Sequence, residues 1–198
     1  MDHALTTSRS SLLASTHAYT LERIRLVAID FDLTIIDIHT GGVWNKGADL
    51  LVPQVRPEII CLIRGCLEHG IHVAVATFSR QIKLLNKVLL LSIPLADDDK
   101  EQNRYTAIPI FGGDAYVEKH DEGKQSQLLL AMNFFNEQEM RTSPQLRSND
   151  SITPARTVLI DDDVLNIEIA RRDGYQTLQY DPDNSKREDA LTFQKLSN

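Results

Sequence analysis

The chain has 198 residues, 42% of them hydrophobic and 25% charged, with a formal net charge of −7 and a pI near 5.3. That length suits one domain with a respectable core, and the composition excludes collagen-like, coiled-coil and wholly disordered chains. An acidic surface repels phosphate backbones, so no nucleic-acid partner is expected, and no apolar run approaches the roughly 20 residues of a membrane span.

Residues 1–22 read as a Ser/Thr-rich N-terminal arm or leading helix, and residues 23–198 as the core domain. Arg9 is the only basic residue before Arg23, His aside. Organellar transit peptides are Arg-rich, so a cytoplasmic protein is expected, with import by the arm left open. Cys61 and Cys66 are too few for a disulfide scaffold and suit a reducing compartment.

From Leu26 the chain alternates strand and helix signals. Leu26-Val27-Ala28-Ile29 is a continuous apolar run of the buried parallel-strand kind. Pro57 to Leu67 predicts a helix with Pro57 in its first turn, stopped by Gly70. Residues 71–76 predict a second strand and Gln81 to Leu91 a second helix. Residues 108–111 predict a third strand near an edge, because Pro109 cannot donate to a ladder. Lys124 to Phe135 predicts a helix, 157–160 a fourth strand and Val164 to Arg172 a helix ended by Gly174. Tyr175 to Tyr180 predicts a fifth strand, and Lys186 to Leu196 a last helix. Residues 96–104, 136–156 and 181–185 read as polar loops. The rhythm predicts an α/β fold: a three-layer α/β/α sandwich around a mainly parallel sheet.

Open parallel sheets bind ligands beyond the carboxyl ends of their strands. Asp30-Phe31-Asp32-Leu33-Thr34 follows the first strand, Thr77 ends the second with Ser79 and Arg80 behind it, and Asp161-Asp162-Asp163 follows the fourth. Lys124 opens the helix before that strand. Lysine is disfavoured at the positive end of a helix, which points to a functional reason for it there, with Lys119 as the competitor. Carboxylates crowded at one rim repel one another. A divalent cation resolves this, and Mg²⁺ suits an all-oxygen donor set. A site uniting Mg²⁺, a lysine and a hydroxyl suits a phosphate group.

These motifs resemble those of the haloacid dehalogenase (HAD) superfamily: a DxDxT run at 30–34, a hydroxyl residue at Thr77, Lys124, and the acidic pair Asp161-Asp162. They come in the family's order and span about 140 residues. The resemblance implies a Rossmann-like core and a phosphatase mechanism. Asp30 would attack phosphorus and form an aspartyl-phosphate; Asp32 would act as general acid and base. Thr77 and Lys124 would bind the phosphate; Asp30, the carbonyl of Asp32, Asp161 and Asp162 would hold Mg²⁺. An acid at 32 suits phosphatases and phosphomutases rather than dehalogenases.

The spacing between motifs leaves room for a flap at about 35–56 but for no large cap domain. The chain therefore resembles capless members, and among them, in Leu-Val-Pro at 51–53, Gly-Lys at 123–124 and Asp161-Asp162 followed by Asn166, it resembles the small eukaryotic magnesium-dependent phosphatases. It departs from those in Thr77-Phe78-Ser79, in the segment 136–156 and in the N-terminal arm. The substrate implied is a phosphorylated small molecule, such as a sugar phosphate, or a phosphotyrosine-like phosphoprotein; a homo-oligomer stays open. The rivals are a narrow phosphotransferase or nucleotidase, a catalytically weak binding module on the same scaffold, and a receiver-like domain phosphorylated on Asp. Asn166 could orient the fourth-motif loop or face solvent, Arg80 could grip an anion or sit at a helix start, and Trp44 could line the entrance or pack on the flank. Core packing is expected for both cysteines.

Overall fold

In a computed structural model the described residues are 24–93, 108–113, 122–142 and 151–181. The arm at 1–22, the loop at 96–104, the helix expected at 186–196 and Lys119 lie outside them. Among the described residues five strands form one sheet: β1 (Leu26–Ile29), β2 (His72–Ala76), β3 (Ile110–Phe111), β4 (Thr157–Asp161) and β5 (Gln176–Gln179). Four α-helices among the same residues connect or flank them: α1 (Pro57–Glu68), α2 (Ile82–Ser92), α3 (Gln125–Thr142) and α4 (Val164–Arg172). The sheet order is β3-β2-β1-β4-β5 and every pairing is parallel.

Alternation along the strands builds two cores. Val27, Ile29, Val73, Val75, Val158 and Ile160 point to one face and pack with residues of α1 and α2, among them Ile59, Ile63, Leu85 and Val88. Leu26, Ala28, Ala74, Ala76 and Leu159 point to the other, under Leu128, Met132 and Phe135 of α3 and Ile167 of α4. Both faces are covered, which is why the strands read as unbroken apolar runs rather than alternating ones. Alanines at 28, 74 and 76 leave room for the large side chains of α3.

The edge strand is shorter than the run 108–111. Pro109 contributes only its carbonyl, to Val75 N–H at 2.9 Å, and regular pairing is confined to Ile110 and Phe111. Helix α3, in contrast, runs seven residues past Phe135, into what the polar composition suggested was loop. Tertiary partners explain it. The Asn136 side chain exchanges two hydrogen bonds with the backbone of Ile152, at 3.0 and 2.8 Å. Glu139 takes the His72 ring at 2.8 Å and the Arg25 guanidinium on the same oxygen. Of the two cysteines, Cys66 is in the core, where burial pushes its thiol up to about 12, while Cys61 is exposed. Among the described residues no helix is long and apolar enough to cross a membrane.

Candidate active site

The carboxyl ends of β1, β2 and β4 open into one cavity of about 630 Å³. Asp30 leaves β1 there. The chain then makes a wide turn over Phe31–Ile35 in which Leu33 takes the left-handed backbone region (φ 60°). The Leu33 N–H donates to Ile38 carbonyl at 3.2 Å, which folds the following segment back over the turn. Residues 37–54 then cross the site's flank through two short helical turns, Ala48–Leu50 and Val52–Gln54, closed by one antiparallel bridge between Ile36 and Val55.

Lys124 is the pivot of the site. Its side chain is only 1% exposed, and its ammonium contacts Asp30 Oδ1 and lies 2.9 Å from Asp161 Oδ2. Gly123 ahead of it has φ 67°, and a Cβ there would strike Gln125 Oε1 at 2.7 Å, so a glycine allows the turn that aims Lys124 inward. Burial is the largest influence on Asp30 and pushes its carboxyl up to about 8, with Lys124 pulling it down and Asp161 pushing it further up. Burial works against the charged Lys124, but the carboxylates of Asp30 and Asp161 outweigh it and raise the ammonium above its ordinary value.

Asp161 is held by a third element. The Asn166 amide, buried in α4, donates to both of its oxygens at 3.1–3.2 Å, and Asp163 N–H donates to Oδ1 at 2.9 Å. Asn166 thus orients the acidic loop rather than facing solvent. Asp163 caps α4 by accepting from Leu165 N–H at 2.8 Å. The Asp162 carboxyl accepts from the Thr34 hydroxyl at 3.3 Å and is raised, first by burial and then by Asp161.

Thr77 is buried at the end of β2. Its Oγ1 accepts from Ser79 N–H at 3.1 Å, which leaves the hydroxyl proton to be donated elsewhere. A Cβ at Gly112 would lie 2.7 Å from Thr77 carbonyl and 2.8 Å from its methyl, so glycine alone fits beside that strand end. Ser79 and Arg80 also line the cavity, with Phe78, whose ring has the Lys124 ammonium 5.4 Å from its centre. Trp44 does not line it. It packs against the core as a partly buried residue, its Nε1 donates to Gly47 carbonyl at 3.2 Å, and its backbone is gripped at both ends by the Gln81 side chain. Gly112, Thr34 as partner to Asp162, and Gln81 carry no signal along the chain, because each acts through residues distant in sequence.

Asp30, Asp161 and Asp162 each offer an oxygen within 4.8 Å of the others. Three carboxylates around one ammonium leave an excess of negative charge, and a buried Asp32 oxygen, Oδ1, takes no hydrogen bond from the described residues. An all-oxygen set with surplus negative charge fits a hard divalent cation.

The solved structure of the N-terminal part of protein BF1531 from Bacteroides fragilis, which contains a phosphatase domain complexed with Mg, is similar with a TM-score of 0.53 at 15% identity. The likeness covers 92% of this chain and 42% of that one. The two share a fold. A predicted HAD-like family hydrolase from Porphyromonas gingivalis is 12% identical over 81% of this chain and 92% of that one, with a TM-score of 0.43. An uncharacterized protein from Corynebacterium glutamicum is 14% identical over 80% and 85%, also at 0.43. No family model and no curated protein matches the sequence.

Proposed function

We propose that the chain is a capless Mg²⁺-dependent phosphomonoester hydrolase of the HAD type that works through an aspartyl-phosphate on Asp30. The observation that carries this reading is Lys124, buried between Asp30 and Asp161 at the mouth of three parallel strands. A buried lysine shared by two carboxylates neutralises a nucleophile that must meet an anion.

In this reading an Asp30 oxygen attacks phosphorus while the bond to the leaving oxygen breaks, and Asp32 gives that oxygen its proton. Asp32 then takes a proton from water as the water attacks the phosphorus of the aspartyl-phosphate, which releases inorganic phosphate and restores Asp30. Thr77 donates its hydroxyl to a phosphoryl oxygen and Lys124 offsets the charge on the phosphoryl and on Asp30. Asp30, Asp161, Asp162 and the carbonyl of Asp32 would hold the cation, and Asn166 fixes the orientation of the Asp161 carboxylate. The bound Mg²⁺ supplies positive charge against the phosphoryl oxygens and the crowded acids.

The strand order favours this reading over a receiver-like domain. Among the described strands β3 and β5 are the edges and β2 lies inside, whereas the flavodoxin-like order of receivers puts the second strand at an edge. A cavity open to solvent admits a sugar phosphate or a phosphorylated protein side chain. The test is hydrolysis of p-nitrophenyl phosphate by purified protein. Turnover with Mg²⁺ that disappears in EDTA and in Asp30→Asn supports the reading; turnover that survives Asp30→Asn contradicts it.

A further inference from the structure

Asp32 has two oxygens in different surroundings. Oδ2 accepts the Thr40 hydroxyl at 2.7 Å and the Thr40 N–H at 3.2 Å. Oδ1 is buried and takes no hydrogen bond from the described residues, although Asp32 lines the cavity. His39 Nδ1 lies 3.7 Å from Oδ2. That nitrogen accepts Gly41 N–H at 2.8 Å, so it has no proton to give Asp32 in this arrangement. Thr40 reaches Asp32 because the Leu33 to Ile38 hydrogen bond folds residues 34–40 back on the turn.

A carboxylate with one oxygen bound at two points is held in one orientation about its last torsion, which would otherwise be broad. We propose that Thr40 is a positioning residue: bound to Oδ2, it fixes the orientation of the Asp32 carboxyl at the cavity, where that acid serves the leaving group and, later, water. This rests on the phosphatase reading above and adds to it the residue that aims the general acid.

The test compares kcat/KM on phenyl phosphate and p-nitrophenyl phosphate, with Mg²⁺, for wild type, Thr40→Val and Thr40→Ser. This constant reports formation of the aspartyl-phosphate alone. The two substrates share a ring but differ in how much the departing oxygen needs a proton. A misaimed acid costs most where protonation matters most. Thr40→Val should lower kcat/KM about ten-fold on phenyl phosphate and less than about three-fold on p-nitrophenyl phosphate. Thr40→Ser, which keeps the hydroxyl, should restore both to within about two-fold. Equal losses on both substrates, or no recovery with serine, would mean that Thr40 only shapes the flap, and would overturn the proposal. Thermal melting of each variant separates misfolding from misaiming. Wild-type protein inert on both substrates would overturn the phosphatase reading itself, and the positioning role with it.

Discussion

Lys124 shows how much of the site depends on one side chain. It is enclosed by Asp30, Asp161 and the Phe78 ring, and removal of one partner from a buried ionic group costs about 3–5 kcal/mol. Lys124→Met should therefore lose roughly 3 kcal/mol in urea denaturation without metal, and should lose activity by at least about a hundred-fold. Asp30 adds a pH signature. Its carboxyl is raised from 3.8 to about 8, so between those values the folded protein holds a proton that the unfolded chain has released. Stability without metal should fall as pH rises through that window. Mg²⁺ should reverse the fall, most strongly at the alkaline end, where proton and cation no longer compete. Melting temperatures in EDTA and in Mg²⁺ from pH 5 to 9 would test this; a flat EDTA profile would contradict it. The acids, Thr77 and Lys124 were legible in the sequence because each stands at a strand or helix end and so has a fixed destination. Thr40, Thr34 and Gly112 were not, because their work depends on a loop folding back or on a neighbouring strand.

At the level of elements, the strands were read more reliably than the ends of helices. A buried parallel strand announces itself by an apolar run, as 26–29 and 157–160 do. Helix α3 hid its last two turns because Asn136 and Glu139 are polar, and polarity is what loops also show. Their partners, Ile152, His72 and Arg25, are remote in the chain. Asn136 thus joins α3 to the segment leading into β4. Asn136→Ala should leave the Ile152 N–H and carbonyl without their partners and cost about 1–3 kcal/mol. It should leave kcat per folded molecule unchanged, since Asn136 lines no part of the cavity. Urea denaturation beside an activity assay measures both.

For the molecule as a whole, the parallel sheet divides labour between its ends. The carboxyl ends of β1, β2 and β4 carry the acids and Thr77, and the opposite end of the sheet holds Arg25, His72 and Glu139 together. His72 stacks on Phe135 at 4.4 Å, and burial lowers its pKa despite Glu139. The folded protein thus resists a proton that the unfolded chain accepts below about 6.5. Stability from this group is full above that value and is lost as pH falls through it, opposite in sign to Asp30. His72→Gln should flatten the acid limb of the stability profile and leave the alkaline limb untouched; loss of both limbs would contradict the assignment. The alternation of strand and helix made this architecture readable from the sequence. Strand order was not readable, because it depends on which side each crossover takes.

The central claim is a covalent bond between phosphorus and Asp30. The direct measurement is to mix the protein with Mg²⁺ and p-nitrophenyl phosphate, quench in acid, reduce with borohydride and map the peptides by mass. An acyl phosphate on Asp30 is reduced to homoserine, so the account predicts that conversion at position 30, dependent on substrate and on Mg²⁺. Active enzyme that never shows it, or that shows it at Asp161 or Asp162 instead, would contradict the account.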